Sequence, residues 1–170
     1  MSPDRKARQK AKPKAARVAG RPVARMKPSS DDAHEIVYFK RHRDDDATES
    51  APGRDFLEGG DIPKKVKATM KAVLVAVAVA PPKRFSGGGY WEAMKDEMTG
   101  WFEVRVDGPD RRHYRLFCRL DYEATNRDKP LLVVVAGMSK PFKTTFSDAD
   151  YADVRALGDE YLARNPRSVF

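Results

Sequence analysis

Gly100-Trp101-Phe102-Glu103-Val104-Arg105-Val106-Asp107-Gly108-Pro109-Asp110-Arg111-Arg112-His113-Tyr114-Arg115-Leu116-Phe117-Cys118-Arg119-Leu120-Asp121-Tyr122 is the stretch that decides the fold. Trp101 to Val106 alternates in polarity, Asp107-Gly108-Pro109-Asp110 is a turn signal, and His113 to Tyr122 alternates again, which predicts a β-hairpin. Side chains two apart share a face of a strand. Phe102, Val104 and Val106 therefore fall on one face with Tyr114, Leu116, Cys118, Leu120 and Tyr122. Trp101, Glu103 and Arg105 fall on the other with His113, Arg115, Phe117 and Arg119. The first set is expected to pack on helices and the second to be presented outward.

Downstream of the hairpin, Thr125–Lys129 reads as a polar loop. Leu131–Ala136 is continuously apolar, as in a central strand buried on both faces. Ser147 with Asp150 forms a capping box, and Tyr151, Val154, Leu157 and Tyr161 give a last helix its apolar stripe. Upstream, His34–Arg41 is a short β-branched and aromatic run that reads as a strand. Ser50-Ala51-Pro52-Gly53 starts a helix that Gly59-Gly60 stops. Asp61-Ile62-Pro63 caps a second helix, with Val66, Met70, Val73 and Val77 at helical spacing and Pro81-Pro82 as its end. Val73, Val75, Val77 and Val79 also alternate as a strand would. The expected architecture is α+β: an antiparallel sheet with two N-terminal helices and one C-terminal helix.

Charge divides the chain of 170 residues unevenly. Residues 1–28 carry ten Lys or Arg against Asp4 alone, a balance of +9 within a formal total of +8, so the remainder is −1. With four prolines and almost no large apolar residue, 1–33 reads as a disordered basic extension. It has no apolar stripe for a membrane surface, and it is poorly suited to be a transit peptide. The folded domain is expected over 34–165, with 166–170 as a short C-terminal tail.

One cysteine, Cys118, excludes an internal disulfide framework and a cysteine-rich zinc site, and His34, His42 and His113 lack metal-ligand spacing. The longest apolar run, Ala72–Ala80, is far shorter than the roughly 20 residues of a membrane-spanning helix. No metal, no cofactor and no membrane are expected, and a cytoplasmic, reducing compartment is the default.

On the outward face, guanidinium groups suited to phosphate alternate with aromatic side chains suited to stacking on unpaired bases. Trp101, Phe117 and Arg119 are candidate RNA contacts. Lys140 and Lys143 follow the central strand and close the same patch. Alternating Arg is also the usual pattern of a solvated sheet face, and Cys118 on the apolar face reads as an inert thiol.

Four local patterns occur in order: Phe56-Leu57 with Ile62-Pro63; Gly100-Trp101-Phe102-Glu103-Val104-Arg105; His113-Tyr114-Arg115-Leu116-Phe117; and Ser139-Lys140-Pro141-Phe142-Lys143-Thr144. Together, over about residues 34–164, they resemble the RelE/HigB superfamily of toxin ribonucleases, and most closely its phage-derived HigB-like branch. The resemblance implies a RelE-like fold and a toxin of a type II toxin–antitoxin pair. Such a protein is a metal-independent endoribonuclease that cleaves mRNA at the ribosome, inhibits translation, and is held by a cognate antitoxin of helix-turn-helix type. In that chemistry the ribose 2′-hydroxyl attacks the adjacent phosphorus. By similarity Arg115 and Arg105 hold phosphate, and Lys140, with Lys143 beside it, stabilises charge or donates a proton. Phe146 stands where RelE has a tyrosine, which leaves His113, Tyr151 and Asp148 as alternatives for acid–base work. A non-catalytic RNA- or DNA-binding relative and a protein-interaction module are the competing expectations. The basic extension is expected to bind nucleic acid non-specifically.

Overall fold

The computed structural model describes residues 27–80 and 89–170. The expected disorder of the basic extension falls, for residues 1–26, outside the described residues. The element order is β1 (Glu35–Tyr38), α1 (Pro52–Glu58), α2 (Lys64–Val79), β2 (Trp91–Ala93), a 3₁₀ turn (Asp96–Met98), β3 (Phe102–Asp107), β4 (Arg112–Asp121), β5 (Leu131–Pro141) and α3 (Asp148–Leu162). The strands form one sheet in the order β1-β5-β4-β3-β2. β1 runs parallel to β5 and the other pairs are antiparallel. The fold is therefore α+β, but the sheet is mixed rather than antiparallel, and it has an extra edge strand, β2.

Local signals explain most helix ends. Pro52 sits in the first turn of α1, where its missing N–H costs nothing, and the Asp55 carboxylate accepts the Ala51 N–H at 3.0 Å. Pro63, the last residue of the expected cap Asp61-Ile62-Pro63, is the N-cap of α2. The run of alternating valines is helical: Val73 through Ala78 are all buried, and burial on all sides overrides β-propensity. Ser147 and Asp150 form the expected capping box on α3.

Helices cover the sheet on both faces. α1 and α2 bury Leu57, Val66, Met70, Leu74 and Val77 against Val104, Leu116, Cys118, Leu132 and Val134. α3 buries Val154 and Tyr161 against Val37, Trp101, Phe117, Val133 and Val135. Gly158 lets α3 lie close to the sheet, because a Cβ there would stand 2.3 Å from Trp101 Cζ2. The register between β4 and β5 slips between Phe117 and Cys118, whose partners are Ala136 and Val134. Val135 is the extra residue of this bulge, and it reverses the parity of β5. Lys140 thereby shares a face with Val133 and Phe117.

Both ends of the expected domain need correction. Lys129 donates its ammonium to the carbonyls of Ser30 and Asp32, and Asp32 and His34 are buried. The body thus begins before residue 34. The C-terminal residues are no loose tail: Tyr38 and Phe170 exchange backbone hydrogen bonds, Phe39 bridges Val169, and Arg167 donates to the Asp121 carboxylate at 2.8 Å.

Candidate functional site

The hairpin register assembles the site. Across β3 and β4, Arg105 is the partner of Arg115, and Asp107 of His113. Across β4 and β5, His113 is the partner of Lys140, and Arg115 of Met138. Paired residues on adjacent antiparallel strands share a face, with Cβ atoms about 5 Å apart. Arg105, Asp107, His113, Arg115 and Lys140 therefore form one grid at the end of the sheet that α3 leaves uncovered. The first turn of α3 borders it with Asp150 and Tyr151.

The grid is ion-paired throughout. Arg105 reaches Glu92 at 2.6 Å and Glu103 at 3.5 Å, which offsets the direct opposition of those two acids across β2 and β3. Arg115 lies 4.0 Å from Glu103 and 3.6 Å from Asp107. Lys140 contacts Asp150 at 2.5 Å, donates to the Thr145 carbonyl at 3.1 Å and sits over the Phe146 ring. Four carboxylates thus face three cations, so the grid by itself is not electropositive. Its cations are held in place by these contacts.

Protonation follows from these contacts. Burial pushes the Glu103 carboxyl above its ordinary range, with Arg115 and Arg105 opposing the shift. The hydrogen bond from His113 holds Asp107 below the usual carboxylate range. Lys140 does the same for Asp150. Burial raises the Tyr151 phenol, and Glu103 adds to the shift.

The structure brings Arg105, Arg115, Lys140, His113 and Tyr151 together, as the sequence suggests, but not all as an outward surface. Arg115 is 7% exposed and donates to the Tyr114 carbonyl at 2.9 Å. Trp101 and Phe117 are 3% and 0% exposed beneath α3, so neither is a stacking platform for bases. Arg119 lies over the Trp101 ring, 5.0 Å from its centroid. Phe117 instead anchors an aromatic cluster with Phe146 and Tyr151. Lys143 sits in an exposed turn with φ +66°, and among the described residues no hydrogen bond or ion pair joins it to the grid. Asp148 lines a groove with Glu103, Tyr151 and Arg155. Cys118 is fully buried, and burial pushes its thiol far up, away from the nucleophilic thiolate.

Sequence reasoning passed over Glu92, Asp107 and Asp150. Asp107 was legible as more than a turn residue: folding the hairpin about Pro109–Arg111 places it opposite His113. Glu92 gives no such signal, because β2 is only three residues long.

Among the described residues, no group of three or more His, Cys, Asp or Glu side chains is placed to hold a metal ion, and no helix is long and apolar enough to cross a membrane. Compared with known proteins, the chain matches no family model, no curated protein and no solved structure.

Proposed function

We propose that this chain is a toxin of the RelE/HigB type: an endoribonuclease that cleaves mRNA without a metal, in the cytoplasm and at the ribosome, until an antitoxin of helix-turn-helix type occupies it. The observation that carries the proposal is the register that gathers Arg105, Arg115 and Lys140 with His113 at one open end of one sheet face. Attack of a 2′-hydroxyl on the adjacent phosphorus puts extra negative charge on the phosphoryl oxygens. Guanidinium and ammonium groups already fixed by ion pairs supply the countercharge with little reorganisation. Arg115, fixed by backbone and carboxylate contacts, positions the phosphate. Arg105 binds it at the rim. Lys140 stands beside the leaving 5′-oxygen.

The balance of four acids to three cations favours a second reading, a non-catalytic module that docks another protein through this end of the sheet. Induction in growing cells without a partner gene separates the two, followed by primer extension on abundant mRNAs. The toxin reading expects growth arrest with discrete cleavage. Lys140→Ala and Arg105→Ala are each expected to lower cleavage by roughly 100–1,000-fold, the loss usual for one charged stabiliser, with an unchanged melting midpoint. Arrest without new RNA ends, or wild-type cleavage by the double variant, overturns the assignment.

A further inference from the structure

We infer that His113, oriented by Asp107, is the general base that takes the proton from the attacking 2′-hydroxyl; the inference rests on the ribonuclease reading above. His113 Nδ1 lies 2.7 Å from Asp107 Oδ1. A carboxylate can only accept, so Nδ1 carries the hydrogen in the neutral ring and Nε2 carries the lone pair. Asp107 remains ionised to do this, because the bond to His113 holds it below the usual carboxylate range. The Phe142 ring, 4.8 Å away and tilted by 36°, packs against the imidazole and fixes its plane. Nε2 makes no hydrogen bond among the described residues, and the side chain keeps 27% of its surface open. A ring held at one nitrogen and free at the other is the arrangement a general base requires.

The neighbours complete the assignment. Asp107 faces the ring from β3 and Arg115 shares its face on β4. Lys140 stands directly opposite on β5, and Asp150 of α3 reaches this end of the sheet through Lys140. The cross-strand register sets acceptor and donor on neighbouring strands of one face, and in the inferred step a phosphate lies between them once Lys140 leaves Asp150. The 2′-hydroxyl gives its proton to Nε2 as the 2′-oxygen–phosphorus bond forms. The bond from phosphorus to the 5′-oxygen breaks, its electron pair stays on that oxygen, and the Lys140 ammonium protonates it. The products are a 2′,3′-cyclic phosphate and a 5′-hydroxyl, with no water consumed. His113 then loses its proton to solvent and Lys140 regains one. Tyr151 is a poorer base, because its phenol is pushed up and lies in the aromatic cluster. Asp107 acts through His113 and is a positioning residue.

The test uses the full chain, ribosomes and mRNA, with RNA ends mapped and pH varied. His113→Ala is expected to lose about 100–10,000-fold in cleavage rate, the usual range for a general base. It should keep its melting midpoint and regain rate in proportion to added imidazole. Lys140→Ala is not rescued by imidazole. Asp107→Asn is expected to lose part of the cleavage rate, since the ring survives but its tautomer is no longer set. The fall in wild-type rate on the acid side is expected to vanish in His113→Gln. If His113→Ala cleaves within about threefold of wild type while Lys140→Ala does not cleave, this inference falls and the ribonuclease reading stands. An inactive His113→Ala without imidazole rescue, or an acid-side fall unchanged in His113→Gln, overturns it equally. A wild-type chain that produces no cyclic phosphate overturns both.

Discussion

Arg115 shows how much a single residue can change meaning between sequence and structure. Alternation places it on the same strand face as His113 and Arg119, which is correct, but says nothing of what lies over that face. In the structure its guanidinium is buried beside Glu103, a carboxyl that burial already pushes up. Removing Arg115 therefore leaves a half-buried acid without the charge that most opposes its upward shift, although Arg105 stands nearer. A carboxyl whose pKa is higher folded than unfolded binds its proton more tightly in the folded state. Its penalty is complete at neutral pH, declines as pH falls through the raised folded value, and is gone below the unfolded one. Arg115→Ala is thus expected to lower the melting midpoint at pH 7 and to lose much of that deficit towards pH 4, close to the ordinary range of Glu. Glu103→Gln in the same background is expected to restore stability at neutral pH. Thermal melts of the wild type and the two variants across pH check this, and a deficit independent of pH would assign the loss to packing alone.

At the scale of elements, the patterns that were legible are those fixed by local chemistry. The hairpin followed from alternation about a Gly-Pro turn, the start of α3 from Ser147 and Asp150, and α1 from Pro52 and Gly59. What stayed hidden depends on partners distant in sequence. The parallel pairing of β1 with β5 has no local signature. The bulge at Val135 cannot be seen in an apolar run, yet it turns Lys140 onto the face of His113 and Arg115. The apolar stripe of α3 was readable while its docking face was not, although Leu131–Ala136, expected to be buried on both faces, already demands a cover on each. Gly158 tests that docking. Alanine in place of glycine ordinarily favours a helix by about 1 kcal/mol. Here the added methyl meets the Trp101 ring at 2.3 Å, and overpacking of this kind costs roughly 1–3 kcal/mol. The clash wins. Gly158→Ala is expected to be destabilised in urea unfolding, whereas Ala156→Gly, at an exposed site on the same helix, should lose only the helix preference. A stabilised Gly158→Ala would mean that Trp101 does not lie beneath α3.

For the whole molecule, charge is distributed unevenly between two parts. The body is −1 and its grid holds more acids than cations, so it has little long-range attraction for RNA. Residues 1–28 carry +9. A segment of this kind raises the encounter rate by releasing counterions, and it has no aromatic platform with which to read bases. Where the chain is cut decides the outcome. Removing residues 1–28 keeps the turn at Ser29–Asp32 and the carbonyls that receive Lys129. Removing 1–33, the boundary drawn from composition, strips both and exposes the end of β1. The chain lacking 1–28 is expected to melt with the full-length protein, and the chain lacking 1–33 below it. Binding to a mixed-sequence RNA is expected to weaken on the first cut. Its log–log salt slope should flatten by about 0.7 for each tail cation that had engaged the single strand, while cleavage sites on mRNA stay the same. Electrophoretic binding at several salt concentrations, beside melting curves of all three chains, checks this. Equal slopes with and without residues 1–28 would place the attraction for RNA in the body, and the ion pairs of the grid would then have to open in solution.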